Sequence, residues 1–442
     1  MQKIIVHIMN KKWFKTDTFE LEIKLFWEIN KTDNVKNILF YKWSKIDDLD
    51  FENKLENQWI YIQNYLNRED IIKTVLELNE ENDILYVHTT IETTMNITND
   101  LKKIIGQSSP DNHKIFRDKF IQRDLLQKYS DELWIRFLSA PINELSFTEI
   151  RNKVWLPFIL KPINWVQSSW VVKINNRNEF TNYKDHFNNF HKIFVEKWIE
   201  WDVLIAEEFI DGDLFSIDYF VWEDWSIRIS EPIKEKLWID IWVEDYFVLS
   251  RITTKDTQDT FRYINLEKFV TDSVEAMKIK NSFIHHEFKI NSKWQLKTIE
   301  INWRIWWGRH ELMYKAFGIN FFRFILDSKQ EFPKIKENVI WVNIFATKEW
   351  KLLWFNQKLF DEIWLKESVY ESIKQESAIW KEVWLTKDWF VRVWTFKLAN
   401  EDLAQLNRDY DFIVNNYKDL LEIESKYINI TKIIKIFKFK FN

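Results

Sequence analysis

The sequence predicts a three-lobed α/β protein, and three observations carry that prediction. The chain has 442 residues, which at roughly 150 residues per domain is room for about three lobes. Over residues 1–108, short apolar runs alternate with helical patterns, the mark of a small α/β sheet. A strand-rich segment, 109–335, follows, and residues 336–442 read as a further small α/β lobe.

In the first lobe, residues 3–8 (Lys3-Ile4-Ile5-Val6-His7-Ile8) read as a strand, as do 37–41 and 83–88. No Gly-rich dinucleotide fingerprint follows the first of these. In the second lobe, Phe187, Phe190, His191, Phe194 and Val195 fall at i, i+3, i+4, i+7 and i+8, one face of an amphipathic helix. His191 therefore reads as a core-edge residue and not as a ligand. Strands are expected over 157–161, 169–174, 203–209 and 214–221. In the third lobe, the last stretch, 428–442, alternates β-branched and basic residues and reads as an edge strand or a frayed tail.

Charge excludes several functions. Lys and Arg number 63, Asp and Glu 68, and the net charge is -5, which gives no electrostatic reason to expect nucleic acid or an anionic membrane as partner. Cysteine is absent, so disulfides, thiolate catalysis and cysteine zinc sites are excluded. The segment MQKIIVHIMNKKW shows no signal-peptide pattern, and no apolar run reaches the roughly 18 residues of a membrane helix. A cytoplasmic protein is expected. The sequence leaves the oligomeric state open, a homodimer included.

The chain has 26 Trp and only 4 Gly. Ordinary glycine usage, roughly 7%, would give about 31, and the two counts together restore that expectation. The tryptophans also end turn sequences that normally close with glycine: Asn164-Trp165, Glu223-Asp224-Trp225, Ser292-Lys293-Trp294 and Lys387-Asp388-Trp389. Such turns need φ > 0. Most of these tryptophans therefore read as glycine, as when UGA codons that encode glycine in some bacterial lineages are translated as Trp.

Residues 282–302 read as a hairpin around the turn Asn291-Ser292-Lys293-Trp294. In its first strand Ile284, His286, Phe288 and Ile290 share one face, and His285, Glu287 and Lys289 the other. In its second strand Thr298, Glu300 and Asn302 are expected on one face, and Ile299 and Ile301 on the other. An even-length turn makes Glu287, Glu300 and Asn302 converge. Two carboxylates and an amide oxygen are hard ligands suited to Mg²⁺ or Mn²⁺. This segment alone reads equally well as a solvated polar face.

Further elements add to it. With Trp read as Gly, residues 298–308 become T-I-E-I-N-G-R-I-G-G-G. This resembles the E-I-N-P-R-x-G-G signature of ATP-grasp carboxylate–amine ligases, although the family usually has Pro at the place of Trp303. In the family's order come Phe116-Arg117-Asp118-Lys119, with Arg123 behind it, similar to the F-x-D-K element. The strand 157–162 (Pro157 to Pro162) resembles the ATP-lysine strand with Lys161. Residues 165–171, read as G-V-Q-S-S-G-V, resemble the phosphate-covering loop, with Gln167 at a place where Gly is common. Ala206-Glu207-Glu208-Phe209-Ile210-Asp211-Gly212-Asp213 resembles the E-E-[FY]-I-x-G hinge.

The resemblance covers 109–325 and implies an ATP-grasp fold that uses ATP and Mg²⁺. It implies that Lys119, Lys161, Ser168 and Ser169 contact phosphates. The hinge residues Glu207, Glu208, Phe209, Ile210 and Asp213 would hold adenine and ribose, and Glu287, Glu300 and Asn302 the metal. Catalysis would fall to Lys161 and Arg304. Arg304, expected on a continuing strand, would orient a substrate carboxylate in an open pocket walled by Arg309 and His310. The activity implied is ATP-dependent ligation of a small carboxylic acid, such as an amino acid, to an amine through an acylphosphate. A carboxylating enzyme like biotin carboxylase or those of the purine pathway, and a non-catalytic ATP-binding module, remain alternatives. Glu275-Ala276-Met277-Lys278-Ile279 resembles a biotin attachment site, but the segment reads as a packing helix, not a hairpin tip.

Overall fold

The computed structural model describes the chain except for residues 11–16, 43–59, 66, 92–93, 111–112, 117, 164–170, 195–202, 242–247, 307, 328–331, 347–349, 375–381, 384–391 and 424–442. Ser168, Ser169 and the expected strand or tail over 428–442 lie outside the described residues. Contacts group the chain into two units. One holds Met1–Asn164, Ile174–Lys234 and Asp256–Lys336, the other Trp165–Lys173, Glu235–Lys255 and Glu337–Asn442.

The first unit begins with a parallel sheet. Its strands run in the order Ile60–Tyr65, Val35–Lys42, Gln2–Asn10, Asn82–His88. Three of the four were legible as short apolar runs. Helices Asp17–Asp33, Arg68–Glu81 and Met95–Ile104 separate or follow the strands. Arg68–Glu81 is capped at its start by Asn67, whose side chain accepts from the Asp70 amide at 3.0 Å. Ile4, Val6, Ile8, Phe40, Val75 and Val87 form the core.

Two antiparallel groups of strands follow within this unit. In one, Val203–Glu208 lies between Phe137–Pro141 and Phe158–Pro162. In the other, Ser282–Ile290 lies between Asp213–Val221 and Leu296–Asn302. Helices Lys119–Tyr129 and Leu266–Met277 share an apolar core with the second group, including Leu126, Ile217, Val270, Val274, Ile284, Phe288 and Ile301. The biotin-like segment is the end of Leu266–Met277, with Lys278 as a left-handed cap at φ 52°.

In the second unit, strands Val248–Thr253, Asn338–Phe345, Arg392–Asn400 and Val369–Lys374 pair antiparallel in that order. Its core holds Trp238, Leu249, Val342, Phe396, Leu398 and Ile413, the last from helix Leu403–Asn415. No described helix is long and apolar enough to cross a membrane.

Candidate active site

The hairpin brings the expected carboxylates together by a route the sequence did not show. Its last turn-side pair is Ile290 with Leu296, so five residues intervene, not four. Continued without interruption, that register would set Ile299 opposite Glu287. A bulge leaves Ile299 over, so that Glu287 faces Glu300 and His285 faces Asn302. The expectation that Thr298 shares the face of Glu300 is corrected by the same bulge. Thr298 is buried opposite Phe288, and its hydroxyl lies 3.0 Å from His286 Nε2.

Cations surround these acids. Asp118 caps helix Lys119–Tyr129, accepting from the amides of Phe120 at 2.9 Å and Ile121 at 3.2 Å. That places Lys119 in the first turn, with Nζ 2.8 Å from Glu300 Oε1. One turn on, Arg123 Nη2 lies 3.0 Å from Glu207 Oε1 and donates to the Ile299 carbonyl at 2.5 Å. Lys161 Nζ, on the neighbouring strand, is 2.7 Å from Glu207 Oε2. Glu207 thus bridges Arg123 and Lys161.

Burial works to raise the pKa of Glu300, but Lys119, with Lys161 and Asn302, outweighs it and brings it down to about 2. Burial holds Lys161 below the usual lysine range in spite of Glu207. Glu207, although buried, is held below the usual carboxylate range by Arg123 and Lys161.

The hinge residues are placed by the strand that ends at Glu208. Glu208 Oε1 pairs with Arg136 Nη2 at 2.5 Å, and the Arg136 guanidinium lies 3.3 Å from the centre of the Trp155 ring. The Phe209 amide donates to the Pro157 carbonyl at 3.4 Å, and the Ile210 carbonyl accepts from Lys289 Nζ at 3.0 Å. Gly212 turns the chain at φ +87°, where a Cβ would stand 2.0 Å from the Ile290 carbonyl oxygen. This position requires glycine. Asp213 beyond it pairs with Lys234 at 2.6 Å.

The segment after the hairpin differs from expectation. The strand ends at Asn302, so Arg304 does not continue it. Arg304 lies in a bend and donates from Nη1 to the Ile305 carbonyl at 3.3 Å. Arg309 and His310 do not wall an open pocket, because both are fully buried. Arg309 Nε lies 2.5 Å from Asp218 Oδ2, and the His310 ring centre is 5.3 Å from that of Phe322. The physical reason is that Arg309 opens helix Arg309–Phe317, most of whose residues are buried.

Sequence reasoning did not single out Asp218, His285 or Arg136. For His285 a signal existed, since it stands two residues before Glu287 on the same face of one strand. For Asp218 and Arg136 there was none, because their partners come from distant segments.

The donor chemistry of the hairpin fits a hard divalent cation. Two facing carboxylates with an adjacent amide oxygen would supply only part of a Mg²⁺ shell, and a bound cation would take its remaining oxygens from outside the protein. Among the described residues, no group of three or more His, Cys, Asp or Glu forms a cage that would complete it from protein alone.

The family described as "ATP-grasp domain" matches residues 154–308, the stretch that holds Lys161, the hinge and the hairpin. No curated protein matches the chain. Among solved structures it is similar to an L-amino acid ligase from Bacillus licheniformis, with 15% identity, TM-score 0.66, and coverage of 96% of this chain and 99% of that one. It is also similar to an N5-carboxyaminoimidazole ribonucleotide synthetase from Thermotoga maritima, with 14% identity, TM-score 0.58, and coverage of 96% and 100%. A third is the biotin carboxylase domain of the Hydrogenobacter thermophilus 2-oxoglutarate carboxylase, in complex with MgADP, ADP and bicarbonate. It shows 11% identity, TM-score 0.58, and coverage of 96% and 90%. At these identities the likeness is one of fold. The chain thus has an ATP-grasp fold and carries an ATP-grasp domain on residues 154–308, over the site.

Proposed function

We propose that this protein is an ATP-dependent carboxylate–amine ligase acting on amino acids or other small carboxylic acids. The observation that carries the reading is the single face on which Glu287 and Glu300 stand opposite each other beside Asn302, with Lys119 on Glu300. That pairing supports Glu287, Glu300 and Asn302 as the holders of Mg²⁺ or Mn²⁺. A divalent cation there supplies charge neutralisation for the nucleotide phosphates.

The chain's own residues do the rest. Lys119 and Lys161 present ammonium groups to phosphate oxygens, joined by Ser168 and Ser169. Glu207 orders this group by holding both Lys161 and Arg123. Glu208, Phe209, Ile210 and Asp213 flank adenine and ribose. Arg304 presents a planar fork to the substrate carboxylate. The γ-phosphoryl group passes from ATP to the carboxylate oxygen, leaving ADP and an acylphosphate. The amine nitrogen then bonds to the carbonyl carbon, the C–O bond to phosphate breaks, and inorganic phosphate and a proton leave. The reading gives ATP, a small acid and an amine as partners, and a cytoplasmic setting suits these substrates.

A phosphate-release screen with ATP and Mg²⁺ tests the reading. Turnover is expected to need an acid and an amine together, with ADP and an amide-bonded product in equal amounts. Turnover that needs bicarbonate instead would replace the ligase with a carboxylating enzyme. ATP binding with no turnover across the screen would support a binding module.

A further inference from the structure

We propose that Asp218 and His285 are positioning residues that aim the Glu287 carboxylate and tie it to the loop after the hairpin. The proposal rests on the reading of Glu287 as a metal ligand. Asp218 lies directly opposite His285 in the ladder between Asp213–Val221 and Ser282–Ile290. His285 Nδ1 is 3.0 Å from Asp218 Oδ2, and His285 Nε2 is 3.4 Å from Glu287 Oε1. One imidazole therefore spans the two carboxylates. Arg309 Nε reaches Asp218 Oδ2 at 2.5 Å, and the Trp306 backbone amide donates to Oδ1 at 3.1 Å.

Asp218, His285 and Arg309 are all buried. Burying such charges is costly unless they are paired, and here Asp218 is paired with the Arg309 guanidinium and with His285 and accepts from the Trp306 amide. Arg309 also donates to Ser216 Oγ at 3.2 Å and to the Glu231 carbonyl at 3.4 Å. A carboxylate held this rigidly fixes the orientation of the imidazole, and the imidazole limits where Glu287 can swing. Outer groups of this kind tune metal affinity in other proteins by about 10–100-fold. The same Asp218 also holds the Trp306 amide, two residues past Arg304. Asp218 thus sets the carboxylate and the Arg304 loop against one fixed point.

The test is Mn²⁺ binding to the full-length protein at saturating ADP, read by electron paramagnetic resonance, with ADP affinity measured separately in EDTA. His285→Asn keeps an amide donor near the Nδ1 position and loses the arm to Glu287. It should weaken Mn²⁺ by about 10-fold and leave metal-free ADP affinity unchanged. His285→Gln, which keeps a polar atom near the Nε2 position, should recover part of the loss. In a cycle with Glu287→Gln, the double variant should bind Mn²⁺ no more weakly than Glu287→Gln alone, because His285 acts through that carboxylate. Wild-type Mn²⁺ affinity in His285→Asn, or losses that add in the double variant, would overturn the proposal while leaving the metal reading intact. Wild-type affinity in Glu287→Gln would remove the metal reading, and this proposal with it. A variant that also loses ADP in EDTA would assign His285 to the fold, against the proposal.

Discussion

Trp155, Trp225 and Trp294 hold φ angles of 74°, 68° and 60°, and they are three of the six non-glycine residues with positive φ among the described residues. Their side chains are 57%, 40% and 69% exposed. A left-handed backbone costs an L-residue roughly 1–2 kcal/mol. The cation stacking of Arg136 on Trp155 and of Lys280 on Trp225 offsets only about 0.5–1 kcal/mol at such exposed sites. Replacing each with Gly should therefore stabilise the protein by about 1 kcal/mol in chemical denaturation, and replacement with Ala should not. If these are glycine codons, peptides from the source organism will carry glycine at 155, 225, 294, 303 and 306, which mass spectrometry reads directly. The turn sequences showed Trp225 and Trp294. Trp155 was not singled out, although it follows the short helix Phe147–Lys153 at the left-handed exit position where glycine is common.

A second test at this scale concerns Glu22. Buried 3.6 Å from His88, its carboxyl is pushed up by burial to about 8. A raised folded pKa contributes stability that is complete below the unfolded value of 4.5 and is lost as pH rises through about 8. Glu22→Gln should be less stable than the parent near pH 4. It should close that gap or reverse it by pH 8, at up to about 1.4 kcal/mol per pH unit. Parallel stability curves for the two proteins would show that Glu22 is not the group responsible.

At the scale of elements, the hairpin shows what alternation can and cannot reveal. Period two put Glu287 and Glu300 on facing strands, and they do face each other. It could not reveal the extra residue at Ile299, because a bulge leaves no period of its own. It also extended the second strand to Arg304, although pairing stops at Asn302. The consequence for chemistry rests on charge. Glu300 is held ionised beside Lys119, with its pKa near 2, so it keeps its negative charge across any working pH. Glu300→Gln removes that charge while keeping the shape. It should leave thermal unfolding within a few degrees and lower kcat by at least about 100-fold, since charge neutralisation is the main source of catalysis in phosphoryl transfer. Near-parent rates at saturating ATP and Mg²⁺ would make the hairpin structural.

At the scale of the whole molecule, the order of the motifs along the chain was legible. What a linear reading cannot show is that Glu235–Lys255 packs with Glu337–Asn442. The pairing is nonlocal: Ser250 meets Val342 and Ile252 meets Ile340, while Ser250 Oγ lies 2.9 Å from Tyr410 Oη. Trp238, Leu249 and Ile252 are part of a core otherwise supplied from beyond residue 337. Cutting the chain after Lys336 would therefore bare three large apolar side chains and strip strand Val248–Thr253 of its neighbour Asn338–Phe345. Burial of such side chains contributes about 1.5–3 kcal/mol each, a large share of the 5–15 kcal/mol that keeps a protein folded, and a bared strand edge templates aggregation. A 1–336 fragment should thus be insoluble or bind ATP weakly, although every proposed catalytic residue lies within it. Excising 235–255 from the full chain should fail in the same way, because it removes the same interface from the other side. Sedimentation and ATP titration of both would decide it: a monodisperse 1–336 fragment with parental ATP affinity would mean that the late lobe is dispensable for nucleotide binding.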